Sequence, residues 1–197
     1  MITRFREKLQ RISFAIGKFC CFLSPNTWTM LSLLPAVITA FMILQQKWLA
    51  AALFLIIAAF IDAIDGAVAR YAKKESKKGA YLDTIIDRYV ELFIIIPLFV
   101  IPLPDLFMSA KIWLSVYLSG ALLTSYVKAA SAEKGLGQIS GGLLERGERM
   151  LGLFIALCLA RFSLIYMLVV IAALAVLAHI TVLQRIFTAL KSKKVQN

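Results

Sequence analysis

Cysteine, histidine and acidic side chains are all scarce in this chain of 197 residues. It has three cysteines, of which Cys20 and Cys21 are adjacent, and a single histidine, His179. These counts exclude a disulfide framework and the paired Cys and His ligands of a zinc site. The N-terminus is basic, but the first apolar run, after Pro25, lacks a small-residue cleavage site, so we expect no cleavable signal peptide.

Long apolar runs are abundant instead. Hydrophobic residues make up 61% of the chain, and the mean hydropathy is +0.84. Continuous apolar stretches of about 20 residues recur, which is typical of a helical membrane protein that crosses the bilayer several times. We predict six transmembrane helices, at about 27–44, 48–71, 80–101, 107–130, 145–160 and 163–187.

The first 24 residues differ from these runs because they mix basic and apolar side chains. Residues 3–22 alternate the two classes at helical spacing, which predicts an amphipathic helix lying on the membrane surface. The predicted fold is therefore an all-α integral membrane protein, in which an amphipathic N-terminal juxtamembrane helix precedes six transmembrane helices. We expect a single membrane domain, 1–197, made of an interfacial arm (1–24), a six-helix bundle (25–187) and a basic cytoplasmic tail (188–197).

Four carboxylates stand inside the apolar runs, at Asp62, Asp65, Asp83 and Asp87, although the chain has only 11 acidic residues. An ionisable group at membrane depth costs roughly 2.5–3.5 kcal/mol on insertion scales. The first two lie three positions apart and the last two lie four apart, so each pair shares one face of a helix. A short loop makes these helices antiparallel neighbours. Oxygen-only ligands suit magnesium, manganese or calcium, so we predict a divalent metal site.

Most of the positive charge falls on alternate connections between the predicted spans. Eighteen of the 22 Lys and Arg residues lie in the N-terminal arm, around 70–78, around 128–149 and at the C-terminal end, against Lys47, Lys111 and Arg161 in the opposite loops. The positive-inside rule predicts a multi-pass protein of the cell membrane with both termini and the acidic cluster on the cytoplasmic side. The net charge of +11 then reflects topology and attraction to anionic membrane lipid, and we expect no nucleic-acid partner.

The acidic segment also has fixed small and basic positions. Residues 62–87 read D-x2-D-G-x2-A-R-x8-G-x3-D-x3-D. Gly66 and Gly79 leave room for a ligand beside the backbone, and Arg70 can contact a phosphate. This segment resembles the signature of the CDP-alcohol phosphotransferase family of integral membrane enzymes (class I CDP-alcohol phosphatidyltransferases), in which an alcohol hydroxyl displaces CMP from a CDP-linked donor.

The resemblance implies a role for each matching residue. Asp62, Asp65, Asp83 and Asp87 are expected to hold two ions of Mg²⁺ or Mn²⁺, and Asp87 is also the expected catalytic base. The residues expected to bind the CDP-lipid donor are Pro25, Asn26, Thr27, Trp28, Gly66, Ala69, Arg70, Ser76 and Gly79. The family also implies a homodimer. Paired metals that clamp a diphosphate are a physically reasonable basis for this reaction.

The acceptor is expected to be a small phosphorylated alcohol held by four cations, Lys128, Arg146, Arg149 and Arg185. Arginine binds phosphate through two parallel hydrogen bonds. The stretches at 79–91 and 145–149 are similar to the inositol-phosphate branch of the family, which includes the phosphatidylinositol-phosphate and archaetidylinositol-phosphate synthases. Branch members commonly carry Arg-Pro-Glu-Arg where this chain has Gly147 at the second position, so glycerol 3-phosphate and serine stay open as acceptors.

A divalent-cation channel or transporter lined by the carboxylates is the alternative outside the enzyme class. It predicts acids near the middle of the bilayer and a polar path through both faces. In this sequence the acids cluster toward one end of their helices, and the other half of the bundle reads as uninterrupted apolar residues. The pattern therefore favours an enzyme. Diacylglycerol and archaeal ether lipid both remain possible as the tail of the donor.

Overall fold

The structure is a computed structural model that describes residues 13–137, 139 and 141–191. Residues 13–20 are helical. Seven further helices follow in the described part of the chain, with no named strand among them. They are α1 (Pro25–Leu31), α2 (Leu33–Leu44), α3 (Trp48–Tyr71), α4 (Lys77–Leu98), α5 (Ala110–Glu133), α6 (Arg146–Ala160) and α7 (Leu164–Lys191). The prediction of an all-α protein is confirmed.

The described residues form two compact units, one up to Ile94 and one from Ile95 onward, and the boundary between them falls within α4. In the N-terminal unit, α1 and α2 both pack against α3. The core of this unit joins α2, α3 and α4 through small and branched side chains: Ala36, Ala58, Ile86 and Val90, with Leu33, Leu82 and Phe93 packed around them. This packing fixes α3 and α4, the two helices that carry the aspartates.

The predicted span at 27–44 is two helices separated by Ser32. The first helix begins where the Ser24 side chain accepts a hydrogen bond from the Thr27 backbone N–H and Pro25 occupies the first turn, a usual helix start. Pro35 lies in the first turn of α2, where its missing N–H is tolerated. Because Pro35 cannot donate a hydrogen bond to the preceding turn, the continuous helix is interrupted at this point.

In the C-terminal unit, α7 packs against both α5 and α6. Small residues allow this close approach. A side chain at Gly120 of α5 would meet the Ala178 methyl at 2.9 Å, and one at Gly152 of α6 would meet Leu174 at 2.6 Å. His179 takes part in the same packing, because its Nε2 lies 3.1 Å from the Val116 carbonyl oxygen.

Three stretches in the described residues are long and apolar enough to cross a membrane: Pro25–Leu44, Trp48–Tyr71 and Leu164–Lys191. The predicted span at 80–101 ends earlier, at Leu98, shortly before the Pro102 and Pro104 loop, and the span predicted from 107 begins at Ala110. Helix α7 continues into the segment predicted as a tail. The outer parts of the predicted arm and tail, 1–12 and 192–197, lie outside the described residues.

Candidate active site

Three of the four predicted aspartates form one group. Asp62 of α3 and Asp83 and Asp87 of α4 each place a carboxylate oxygen within 4.8 Å of the others. The spacing of four residues in α4 puts Asp83 and Asp87 on one face, one turn apart. Asp87 is buried, whereas the other two are partly exposed. The sequence predicts that these two helices are antiparallel neighbours. This arrangement brings Asp62 close to Asp87, which lies 25 positions later in the chain.

This group fits a divalent cation. Oxygen ligands lie roughly 2.0–2.6 Å from Mg²⁺ or Ca²⁺, so two ligands of one ion are at most about 4–5 Å apart. The 4.8 Å limit of the Asp62, Asp83 and Asp87 group meets this condition. Three carboxylates this close in a poorly solvated place repel one another strongly unless a positive charge is shared among them.

Asp65 lies outside this group of three and has a partner of its own. Its Oδ2 accepts a hydrogen bond of 2.5 Å from the Thr29 hydroxyl of α1. Both side chains belong to buried residues, Thr29 being 3% exposed and Asp65 8% exposed. Thr29 was not among the residues predicted from the sequence. Its position four residues after Pro25, on the same face of α1, is the signal that would have identified it.

A cavity of about 330 Å³ opens beside the aspartates, within the range of about 300–1,000 Å³ that is typical of small-molecule sites. Seven of the nine residues predicted to bind the donor line it: Pro25, Asn26, Gly66, Ala69, Arg70, Ser76 and Gly79. Asp65 and Asp83 also line it, together with four residues that the sequence did not indicate, Thr29, Lys74, Glu75 and Ala80. The cavity therefore connects acidic and basic side chains across α1, α3 and the start of α4.

Thr27 and Trp28 do not line this cavity. The Thr27 side chain bonds to the Ser24 hydroxyl at 2.8 Å. The Trp28 indole donates a hydrogen bond of 3.0 Å to the Cys20 carbonyl oxygen and packs edge-to-face on Phe22. Since α1 turns about 100° per residue, these two side chains point away from the face that carries Pro25, Asn26 and Thr29.

Two glycines lie where polar side chains crowd the cavity. A methyl group at Gly79 would lie 3.1 Å from both the Asn26 Oδ1 and the Ser76 Oγ, and one at Gly66 would lie 3.2 Å from a guanidinium nitrogen of Arg70. Absence of these side chains lets the polar atoms approach the backbone closely. The Ser76 hydroxyl also accepts a hydrogen bond of 3.0 Å from the Gly79 N–H.

Helical residues 13–20 pack over the end of α3 that carries Arg70. The Ser13 hydroxyl accepts a hydrogen bond of 2.9 Å from Arg70 Nη2. The Phe14 ring packs edge-to-face on Tyr71 at 4.8 Å between centroids. Gly17 lies so close to α3 that an added methyl would meet the Ala67 carbonyl oxygen at 2.5 Å. The N-terminal segment therefore holds the guanidinium beside the cavity.

Two charged residues that the sequence did not assign follow Asp87 on α4. Arg88 forms an ion pair of 3.2 Å with Glu91 and lies 4.0 Å from the Asp87 carboxylate. Glu91 is 2% exposed, and a buried charge needs such a partner. Arg88 thus offsets part of the negative charge next to the aspartate group.

The four predicted acceptor cations lie in the C-terminal unit and have different surroundings. Arg149 is 2% exposed, and its Nη1 donates a hydrogen bond of 3.2 Å to the Thr124 hydroxyl. Arg185 donates hydrogen bonds of 2.6 Å to the Thr124 carbonyl oxygen and 3.0 Å to the Gly141 carbonyl oxygen. Arg146 is partly exposed and Lys128 is exposed. The two buried arginines therefore meet at Thr124.

A second cavity, of about 560 Å³, lies beside Arg185. Gln184, Thr188 and Lys191 of α7 and the glycines of the 141–142 turn also line it. Lys128, Arg146 and Arg149 do not. Of the four predicted acceptor residues, Arg185 is the one that lines this cavity.

Comparison with known proteins agrees with this geometry. A sequence profile of the CDP-alcohol phosphatidyltransferases matches residues 22–188. The chain belongs to this family. The archaetidylinositol phosphate synthase of Pyrococcus horikoshii is 33% identical over 193 residues, which cover 97% of both chains.

Solved structures of the family give the same fold. The phosphatidylinositol phosphate synthase of Mycobacterium tuberculosis with CDP-DAG bound matches with a TM-score of 0.82 and 26% identity, over 95% of this chain and 98% of that one. The same enzyme in complex with manganese and citrate matches with a TM-score of 0.80 and 25% identity, over 94% and 92% of the two chains. This CDP-alcohol phosphatidyltransferase is therefore a membrane transferase of phospholipid synthesis, as the signature predicted, and its acidic group has the geometry to hold a divalent cation.

Proposed function

We propose that this enzyme transfers a phosphatidyl-type group from a CDP-linked lipid to a hydroxyl of an inositol phosphate and releases CMP. The observation that carries the proposal is the group of Asp62, Asp83 and Asp87, with Asp83 also lining a cavity that contains Arg70 and the glycines of the signature. Carboxylates for metal ions, an arginine for phosphate and glycines for close approach are the chemistry that a nucleoside diphosphate needs.

Asp62, Asp65, Asp83 and Asp87 would hold two ions of Mg²⁺ or Mn²⁺. When bound, these ions would neutralise the diphosphate and stabilise the negative charge on departing CMP. The chain supplies the remaining contacts. Arg70, held by Ser13 at 2.9 Å, binds a phosphate oxygen of the donor, while Asn26 and Ser76 are the polar groups for its cytidine and ribose.

Asp87 is the proposed base. It accepts the proton of the acceptor hydroxyl, and the hydroxyl oxygen forms a bond to the lipid-linked phosphorus as the bond between that phosphorus and the CMP oxygen breaks. Its burial keeps water away from the reacting atoms. The Arg88 guanidinium, at 4.0 Å, places a positive charge beside this carboxylate.

The acceptor would bind through its phosphate to cations of the C-terminal unit, Lys128, Arg146, Arg149 and Arg185. Relatives that share most of their length with this chain are named as synthases of archaetidylinositol phosphate and phosphatidylinositol phosphate, and this supports an inositol phosphate as the acceptor here. Thr124 holds both Arg149 and Arg185 in fixed orientations, which suits recognition of a small rigid anion.

The proposed arrangement in the membrane follows the sequence prediction. The chain would form one CDP-alcohol phosphotransferase domain with six transmembrane helices, its active site and both termini on the cytoplasmic side of the cell membrane. It would associate with anionic lipid through its basic ends and form a homodimer. The three long apolar helical stretches and the charge distribution along the chain support this proposal.

The test is CMP release by purified protein in lipid vesicles containing CDP-diacylglycerol or CDP-archaeol, with Mg²⁺. Inositol 1-phosphate, glycerol 3-phosphate and serine are supplied in separate reactions. We expect the highest kcat/KM with inositol phosphate. Faster release with glycerol 3-phosphate or serine would overturn the acceptor assignment alone, whereas no release with any of the three would overturn the whole proposal.

A further inference from the structure

Thr29 has a contact that the established signature does not explain. Its hydroxyl oxygen lies 2.5 Å from Asp65 Oδ2 and 3.1 Å from the Pro25 carbonyl oxygen. The hydroxyl has one proton and can donate it to only one of these acceptors. A hydrogen bond to an ionised carboxylate is shorter and stronger than one to a neutral carbonyl. The Thr29 hydroxyl therefore donates its proton to the hydrogen bond with Asp65.

The contact ties together two helices that also pack against each other. Thr29 is on α1 and Asp65 is on α3, 36 positions later in the sequence. Both are nearly inaccessible to solvent, so water does not compete for the hydrogen bond. The hydrogen bond therefore fixes the carboxylate at Oδ2, and a carboxylate has about four lone-pair sites, more than this one bond occupies.

We propose that Thr29 is a positioning residue that orients the Asp65 carboxylate for divalent-metal binding. This inference rests on the proposed function, because it takes Asp65 as a ligand of the metal site. Side chains that hold a metal ligand in place commonly change metal affinity or activity 10- to 100-fold when they are removed. The Thr29 hydroxyl is in the right place to have this effect through its hydrogen bond to Asp65.

The test measures Mn²⁺ affinity by electron paramagnetic resonance on purified protein in detergent, without any substrate. Thr29→Val keeps the shape of the side chain and removes the hydroxyl, whereas Thr29→Ser keeps the hydroxyl. Thr39→Val is the matched control, because Thr39 is also buried in the N-terminal unit and its hydroxyl donates only to the Pro35 backbone, at 2.9 Å.

We expect Thr29→Val to weaken Mn²⁺ binding about 10- to 100-fold, Thr29→Ser to restore it to near the wild-type value, and Thr39→Val to leave it unchanged. Wild-type affinity in Thr29→Val would overturn the inference. Equal losses in the Ser and Val variants would also overturn it, because packing and not the hydroxyl would then be responsible. Thr29→Ala makes the same comparison if the Val variant does not fold.

A double-mutant cycle separates this inference from the proposed function. If Thr29 acts through Asp65, the Thr29→Val change has no further effect on Mn²⁺ affinity in an Asp65→Asn background. Independent, additive losses would overturn the positioning role. Absence of Mn²⁺ binding in the wild-type protein would instead contradict the metal site and the proposed function.

Discussion

The N-terminal unit brings three carboxylates together in one group, whereas in the C-terminal unit two buried arginines donate to separate backbone and hydroxyl groups. Three carboxylates of α3 and α4 lie within 4.8 Å of one another. In the C-terminal unit, Arg185 donates to two backbone carbonyl oxygens and Arg149 to a threonine hydroxyl. Like charges held this close need a counter-charge, which a divalent cation would supply to the carboxylate group. The arginine bonds of the C-terminal unit also support its fold. Loss of Arg149 or Arg185 should therefore lower stability as well as acceptor binding.

The largest effect is expected from Asp87→Asn, which keeps the shape of the side chain and removes the base. CMP release should fall about 10²- to 10⁴-fold, the usual contribution of a positioned acid or base. Asp105→Asn is the control, because Asp105 is exposed and only accepts a hydrogen bond from the Ala110 N–H. Retention of more than a tenth of the wild-type rate in Asp87→Asn would remove Asp87 from the mechanism.

In the C-terminal unit, Arg185→Lys should lower stability although it preserves the charge. One ammonium group cannot replace the guanidinium bonds to both the Thr124 and Gly141 carbonyl oxygens, and hydrogen bonds of charged groups contribute about 1.5–3 kcal/mol each. Thermal unfolding in detergent should therefore show a lower Tm. Arg161→Lys, at an exposed position, should match the wild type. An unchanged Tm in Arg185→Lys would show that these bonds do not hold the unit together.

Two glycines offer a direct comparison between the units. Gly79→Ala places a methyl 3.1 Å from Asn26 and Ser76, whereas Gly147→Ala meets no atom within 4 Å. We expect the KM for the CDP-lipid to rise about tenfold in the first variant, the low end of what one methylene changes in a pocket. It should not change in the second. Equal donor KM values in both variants would argue against the cavity as the donor site.

The smallest effect is expected at Lys128, which is exposed. Lys128→Gln should raise the KM for inositol phosphate only a few-fold, because solvent screens an exposed charge. The Tm and the KM for the CDP-lipid should stay at their wild-type values. A change in donor KM equal to the change in acceptor KM would contradict the assignment of this lysine to the acceptor.

Much of the fold followed from the sequence because hydrophobic periodicity predicts helices well. Helix α3 begins and ends where the span at 48–71 was predicted. The interruption at Ser32 could not be predicted from the sequence. The apolar run continues through Pro35, and a single proline can lie either within a helix or at the start of a new one. Helix α4 ends at Leu98, whereas the sequence prediction extended it to Ile101 because that residue is apolar. The residue before a proline disfavours the helical conformation, and Pro102 follows Ile101.

The site residues could be predicted where they lie close together in the sequence. The contacts between residues far apart in the sequence could not. The spacing within the 62–87 segment indicated the aspartate group and the glycines of the cavity. The bond from Thr29 to Asp65 joins residues 36 positions apart. The helical spacing of α1 places Thr29 on the face of Pro25, but it does not identify Asp65 as the partner. Thr27 and Trp28 were grouped with Pro25 and Asn26 by adjacency, but the helical rotation of α1 directs them toward Ser24 and Cys20 instead.

The most direct test of the metal-dependent site on α3 and α4 is one Mn²⁺ titration with two readouts. After metal removal by EDTA and dialysis, bound Mn²⁺ is measured by electron paramagnetic resonance and CMP release is measured in the same samples. We expect binding and release to saturate together in the wild type, and both to be lost in Asp83→Asn but kept in Asp105→Asn. Release without bound Mn²⁺ or another divalent ion, or full Mn²⁺ binding in Asp83→Asn, would contradict the assignment of these aspartates as the metal centre.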